Sequence, residues 1–170
     1  MDDALSRILR VAAEEFSDIN DLEELTRTTI RLLLAALLGG VLGFERESAR
    51  KSAGLRTHML VSVGSALFVL VAARSGIQPA DLSRVIQGVV AGVGFLCAGA
   101  ILKSPSDDQV RGLTTSAGLW MTAAIGVAAG LGRDSLAVLC TLMAWGILQL
   151  ERPVRRWLHR DVDRGGSGQP

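Results

Sequence analysis

What this chain has little of excludes most enzymatic readings. Cysteine is scarce: Cys97 and Cys140 both lie in apolar runs, a spacing that is no metal signature and from which no disulfide is inferred. Both read as small buried hydrophobes. Serine, histidine and acidic residues are present but never at nucleophile-elbow spacing. Gly92-x-Gly94-x-x-Cys97 is superficially like a dinucleotide fingerprint, yet it sits inside an apolar run with no strand before it. Asp107 and Asp108 are adjacent acids, well short of the oxygen cage a hard cation needs. The positive start and short apolar core of a cleaved signal peptide are missing too. No catalytic residues, cofactor, metal ligands or nucleic-acid partner are therefore expected, and magnesium binding is left open.

Long apolar runs are present. Hydrophobic residues make up 49% of 170 residues, enough for one domain, and the charges fall between the runs instead of spreading over amphipathic elements. The densest stretch, residues 84 to 132, holds Val85–Leu102 and Leu113–Leu131, each rich in glycine and alanine and separated by the polar Lys103–Arg111. About 18 consecutive apolar residues imply a spanning helix, and in lipid small residues let helix backbones approach closely. The pair reads as a tightly packed antiparallel helix hairpin. Similar runs at about 26–44, 57–73 and 135–150 complete an all-α, polytopic membrane bundle of five transmembrane helices. Arg31, in the first turns of the first span, is expected to snorkel to the interface. Gly39 and Gly43 form a GxxxG pair that serves either packing within a subunit or a homodimer. Gly88, Gly92, Gly99, Gly126 and Gly130 are further packing positions.

Residues 1–25 read as an N-terminal amphipathic interfacial helix, with Leu5, Ile8, Leu9, Ala12, Phe16 and Ile19 at helical spacing. Residues 26–150 form the transmembrane domain. Residues 151–170 form a basic cytoplasmic tail whose short helix interleaves Trp157 with Arg155, Arg156 and Arg160. Five spans put the termini on opposite sides. The side of the C-terminus carries Arg46, Arg50, Lys51, Arg56, Lys103, Arg111 and five tail arginines, eleven of the 18 basic residues; the other side carries seven. The positive-inside rule then makes the C-terminus cytoplasmic and the N-terminus external.

Glu45, Arg46, Glu47, Arg56 and Arg111 fall at the cytoplasmic ends of spans, with Thr57, Thr114 and Thr115 a residue or a turn further in. A bundle brings such ends together, either as a polar vestibule for an ion, ligand or partner or as a salt-bridge network that sets helix register. Gln87 is an intramembrane amide, costly unless paired, and marks function or interhelical bonding. His58, at a helix entrance, is either proton-active or a solvated interfacial group.

Several blocks in order carry a resemblance: Gly43-Phe-Glu-Arg-Glu47, Ala53-Gly-Leu-Arg-Thr-His-Met-Leu60, Gly92-Val-Gly-Phe-Leu96, Ala98-Gly-Ala-Ile101 and Val110-Arg-Gly-Leu-Thr-Thr115, continuing to Gly130-Leu-Gly132. Over about residues 30–150 the chain resembles the MgtC/SapB family of bacterial inner-membrane proteins. Cys97 stands where that family usually has glycine and Ser52 where it often has proline. Some members continue into a cytoplasmic ACT-like domain, for which this chain has no room. The resemblance implies a non-enzymatic regulator linked to magnesium limitation, stress adaptation or virulence. It would act on other inner-membrane proteins by helix–helix docking. The alternative is a small ion transporter or channel whose path passes Glu45, Arg56, Thr115 and Gln87. The lack of an acidic residue at mid-membrane weighs against direct magnesium transport.

Overall fold

The computed structural model describes residues 2–15, 21–103 and 110–150. Six helices follow in order: α1 (Asp2–Glu15), α2 (Leu22–Ser48), α3 (Leu55–Arg74), α4 (Pro79–Ala100), α5 (Leu113–Gly130) and α6 (Asp134–Gln149). Between α4 and α5, β1 (Leu102–Lys103) pairs antiparallel with β2 (Val110–Arg111), so the all-α expectation needs a minimal ladder added. The expected basic C-terminal helix and Asp107–Asp108 lie outside the described residues.

Four helices, α2 to α5, are long and apolar enough to cross a membrane. The expected fifth span, α6, has 16 residues and is about 24 Å long against a hydrocarbon core of about 30 Å. Polarity is distributed the opposite way from a water-soluble protein. Phe95, Leu60, Phe68 and Leu37 are exposed, while His58, Ser62 and Thr122 are wholly buried. An apolar exterior this extensive suits lipid.

α2 begins where Asp21 caps it, its carboxylate accepting from the Glu23 amide at 3.0 Å, with Glu23 and Glu24 favourably placed at the positive end of the helix dipole. The helix continues past the expected boundary at Phe44 through Glu45, Arg46 and Glu47 to Ser48. Those charges do not form a loop. Glu45 and Arg46 turn inward, and Glu47 caps the next helix: its Oε2 accepts from the Leu55 amide at 2.8 Å. At the far end Arg74 of α3 ion-pairs with Glu24 at 3.1 Å. Antiparallel α2 and α3 are therefore tied at both ends.

The tightest packing is not the expected α4–α5 hairpin. α3 is clamped between α2 and α5. A Cβ added at Gly39 would stand 2.7 Å from the His58 carbonyl oxygen, and one at Gly43 would stand 2.7 Å from the Leu55 Cα. A Cβ at Gly126 would strike the Ser62 carbonyl, and one at Gly130 the Ala66 carbonyl. The GxxxG pair of α2 is thus filled within one subunit, which removes Gly39–Gly43 as a face for a second copy. By contrast, a Cβ at Gly88, Gly92, Gly94 or Gly99 of α4 would meet nothing within 4 Å. These expected packing positions are open. α4 buries only Val93. It is joined to α5 near its C-terminus, where the Ser116 hydroxyl donates to the Cys97 carbonyl at 2.8 Å. Gly112, with φ 95°, makes the turn into α5, because any side chain there would strike the Ala100 carbonyl.

α6 returns antiparallel to α5 and beside α2, adding Ala137, Ala144 and Leu148 to a core of Ala35, Leu38, Leu42, Ala66 and Ile125. Arg31 does not snorkel outward. It is half-buried and donates to the carbonyl of Gly130 at 3.2 Å, closing the C-terminus of α5. α1 stands apart, with Leu5, Ile8, Leu9 and Val11 exposed.

Candidate functional site

The expected polar cluster divides in two. Glu45 and Arg46, on the inner face of α2, are buried and paired through the Arg46 Nε and the Glu45 carboxylate. Thr115, in the first turn of α5, is buried as well. Arg56, Thr57, Arg111 and Thr114 are exposed, as is the capping residue Glu47. A charge in low dielectric needs a partner, which is why Glu45 and Arg46 turn inward together. The exposed threonines and arginines have water or headgroups available at the helix ends.

Gln87 lies exposed on α4 and is not brought to the buried group. The transport path expected through Glu45, Arg56, Thr115 and Gln87 therefore splits between interior and surface. His58 is not the solvated entrance residue expected: its side chain is fully buried in the first turn of α3. Its Nδ1 lies 3.0 Å from the Gly54 carbonyl oxygen, and it sits in the field of Glu45 and Arg46. Gly118 of α5 faces the opposite ring nitrogen, with its notional Cβ 3.5 Å from Nε2.

Sequence reasoning missed the polar residues that extend this site. Ser62 and Ser65 follow His58 along the inner face of α3, and Thr122 lies opposite on α5; all are buried. The Thr122 hydroxyl donates to the Gly118 carbonyl at 2.8 Å, whereas His58 Nε2 and Ser62 Oγ have no hydrogen-bond partner among the described residues. The signal was available. His58, Ser62, Ser65 and Ala66 recur at helical spacing within an otherwise apolar span. The site is thus a polar seam enclosed by α2, α3 and α5, starting at Glu45–Arg46 and running inward. Among the described residues no group of three or more His, Cys, Asp or Glu could hold a metal ion.

A second feature lies on the neighbouring face of α3, with Ser65 lining both. A largely apolar groove of about 560 Å³ separates α3 from α4, lined by Leu60, Gly64 and Phe68 on one side and Gly88, Gly92 and Leu96 on the other.

The family model described as "MgtC family" matches residues 32–157, which contain both features. The chain belongs to the MgtC family. It is 43% identical over 148 residues to Protein MgtC of Brucella abortus, an alignment covering 86% of this chain and 60% of that protein. It is 41% identical over 151 residues to Protein SrpB of Synechococcus elongatus, covering 80% of this chain and 82% of that protein. It is also 41% identical over 131 residues to the Escherichia coli protein named "Putative magnesium transporter YhiD", covering 71% of this chain and 59% of that one. The chain thus matches about three fifths of the length of MgtC and YhiD. No solved structure matches it. With several long apolar helices and this family, it is a multi-pass membrane protein.

Proposed function

We propose that this chain is a non-enzymatic regulator of the bacterial inner membrane, linked to magnesium homeostasis, stress adaptation or virulence. It crosses five times, with an external N-terminus and a cytoplasmic C-terminus. It acts by taking a helix of another membrane protein into the groove between α3 and α4. The observation that carries this is the contrast among its glycines. Gly39 and Gly43 of α2 and Gly126 and Gly130 of α5 are used against the backbone of α3, whereas Gly64, Gly88 and Gly92 meet nothing within 4 Å. Small residues facing an open apolar groove at membrane depth are what a close helix contact requires.

A second reading, a small ion transporter, draws on the buried seam of Glu45, Arg46, His58, Ser62 and Thr122 and on the name carried by YhiD. The two separate by experiment. A photo-crosslinker at Gly88 or Leu96 is expected to give one discrete adduct in native membranes, and the same group on the outer face of α6 none. A second copy of this chain would be recognised by the adduct's mass. Purified protein in liposomes is expected to move no magnesium above background. Magnesium flux abolished by Glu45→Gln would reverse the ranking.

A further inference from the structure

We infer that the polar seam between α2, α3 and α5 holds one buried water molecule, bound by His58, Ser62 and Thr122 beside Gly118. The inference does not depend on the docking groove, whose lining includes none of His58, Ser62 and Thr122. A carbonyl oxygen can only accept, so the 3.0 Å contact of His58 Nδ1 with the Gly54 carbonyl puts a proton on Nδ1. In the neutral ring Nε2 is then a bare acceptor. It is fully buried, and no donor among the described residues reaches it. Ser62, one turn along the same face, is equally buried, and its hydroxyl also lacks a partner. Buried polar groups are nearly always satisfied by protein or by ordered water. The two orphans stand on successive turns of α3, Ser62 with its Cβ against Gly39 of α2 and His58 with its ring reaching from Gly43 of α2 to Gly118 of α5, and such a pair calls for a ligand it can share.

The fit of α5 provides the space. Gly118, Thr122, Gly126 and Gly130 form one stripe at spacing of four, and three of them face α3. At Gly126 and Gly130 the helices are in backbone contact, and no extra atom fits. At Gly118 an added methyl carbon would lie 3.5 Å from His58 Nε2, an ordinary van der Waals distance. The interface therefore closes at one end and is looser at the other. A water oxygen hydrogen-bonded to Nε2 would sit about 2.9 Å away, on the side of the ring that Gly118 faces. A buried water needs two to four polar partners. Nε2 accepts from it, and the Ser62 hydroxyl can donate or accept. Thr122 Oγ1, whose proton is committed to the Gly118 carbonyl at 2.8 Å, keeps lone pairs free to accept. Water is the small ligand that satisfies all three without bringing a charge into the core.

The test uses the full chain in lipid bilayers with ¹⁵N-labelled histidine. The sequence has two histidines, so His159→Gln leaves only His58 visible. The expected spectrum has Nδ1 protonated, Nε2 at the shift of an acceptor nitrogen receiving a hydrogen bond, and magnetisation passing from water to the ring. Gly118→Ala, whose methyl would crowd the water against Nε2, should abolish that transfer while the tautomer persists. Ser62→Ala should weaken it. Absence of transfer in the wild type overturns the proposal on its own, as does an Nε2-protonated neutral ring. A transfer that Gly118→Ala leaves unchanged also overturns it.

Discussion

Two side chains that look like ordinary loop or interface charges hold helix ends together. Arg31 donates to the Gly130 carbonyl, next to the carbonyls of Val127, Ala128 and Ala129 that the amides of Leu131, Arg133 and Gly132 take up, so Arg31→Leu removes the charged donor from the last carbonyl of α5. The expected loss is about 1.5–3 kcal/mol, measured by reversible unfolding in mixed micelles. Arg31→Lys should recover only part of it, because a point charge lacks the guanidinium fork. Glu47 caps α3 from the last turn of α2, and Glu47→Ala should cost about 1 kcal/mol. Arg50 reads in the opposite direction. It has φ 53° where α2 ends, its amide bonding to the Glu47 carbonyl at 2.9 Å and the next amide, of Lys51, to the Arg46 carbonyl at 3.0 Å. Glycine suits that left-handed position, so Arg50→Gly should leave stability unchanged or raise it by up to about 1 kcal/mol. A loss above that range would mean that the Arg50 side chain makes a contact of its own.

At the scale of helices, α3 is the element around which the others are placed, and the glycines show it. Gly126→Ala forces a methyl into the Ser62 backbone and is expected to cost about 1–3 kcal/mol by overpacking. Gly88→Ala and Gly92→Ala, in open space, should change stability by less than about 1 kcal/mol. Equal losses at all three positions would show that α4 is packed as tightly as α5. The sequence makes plain that α2, α4 and α5 are apolar helices built for close contact, because glycine at helical spacing in a long apolar run has few other uses. It does not say which helix each stripe meets. Gly88–Gly92 and Gly126–Gly130 are the same motif in sequence, yet one is open and the other pressed on a backbone. The end of α2 lies beyond the point where charge first appears in the sequence, because charge marks a loop only when water is there to receive it. Glu45 and Arg46 neutralise each other inside the bundle, and the helix runs on. His58 is buried for a related reason: position near a helix entrance says nothing about which face of that helix is covered.

For the molecule as a whole, orientation turns on the tail. The connections at the α2–α3 end and the β ladder lie on one side of the bundle, with the end of α6; the α3–α4 and α5–α6 turns lie on the other. Without the five arginines after Leu150, the first side keeps six basic residues (Arg46, Arg50, Lys51, Arg56, Lys103, Arg111), against seven on the second (Arg7, Arg10, Arg27, Arg31, Arg74, Arg84, Arg133). Basic residues near span ends set topology, and added C-terminal charge can flip it. Deleting residues 151–170 is therefore expected to give a mixed population. Cys97 and Cys140 are free and can be replaced by alanine to give a cysteine-less background. Ser75→Cys and Ser52→Cys, both at exposed turn positions on opposite sides, then report orientation. In the full chain an impermeant maleimide on intact spheroplasts should label Ser75→Cys and leave Ser52→Cys untouched until the membrane is opened. In the truncated chain both should label in part. Labelling of Ser52→Cys from outside in the full chain would invert the topology and place the buried Glu45–Arg46 pair near the external face. Labelling of both positions from the same side would mean that α3 does not cross.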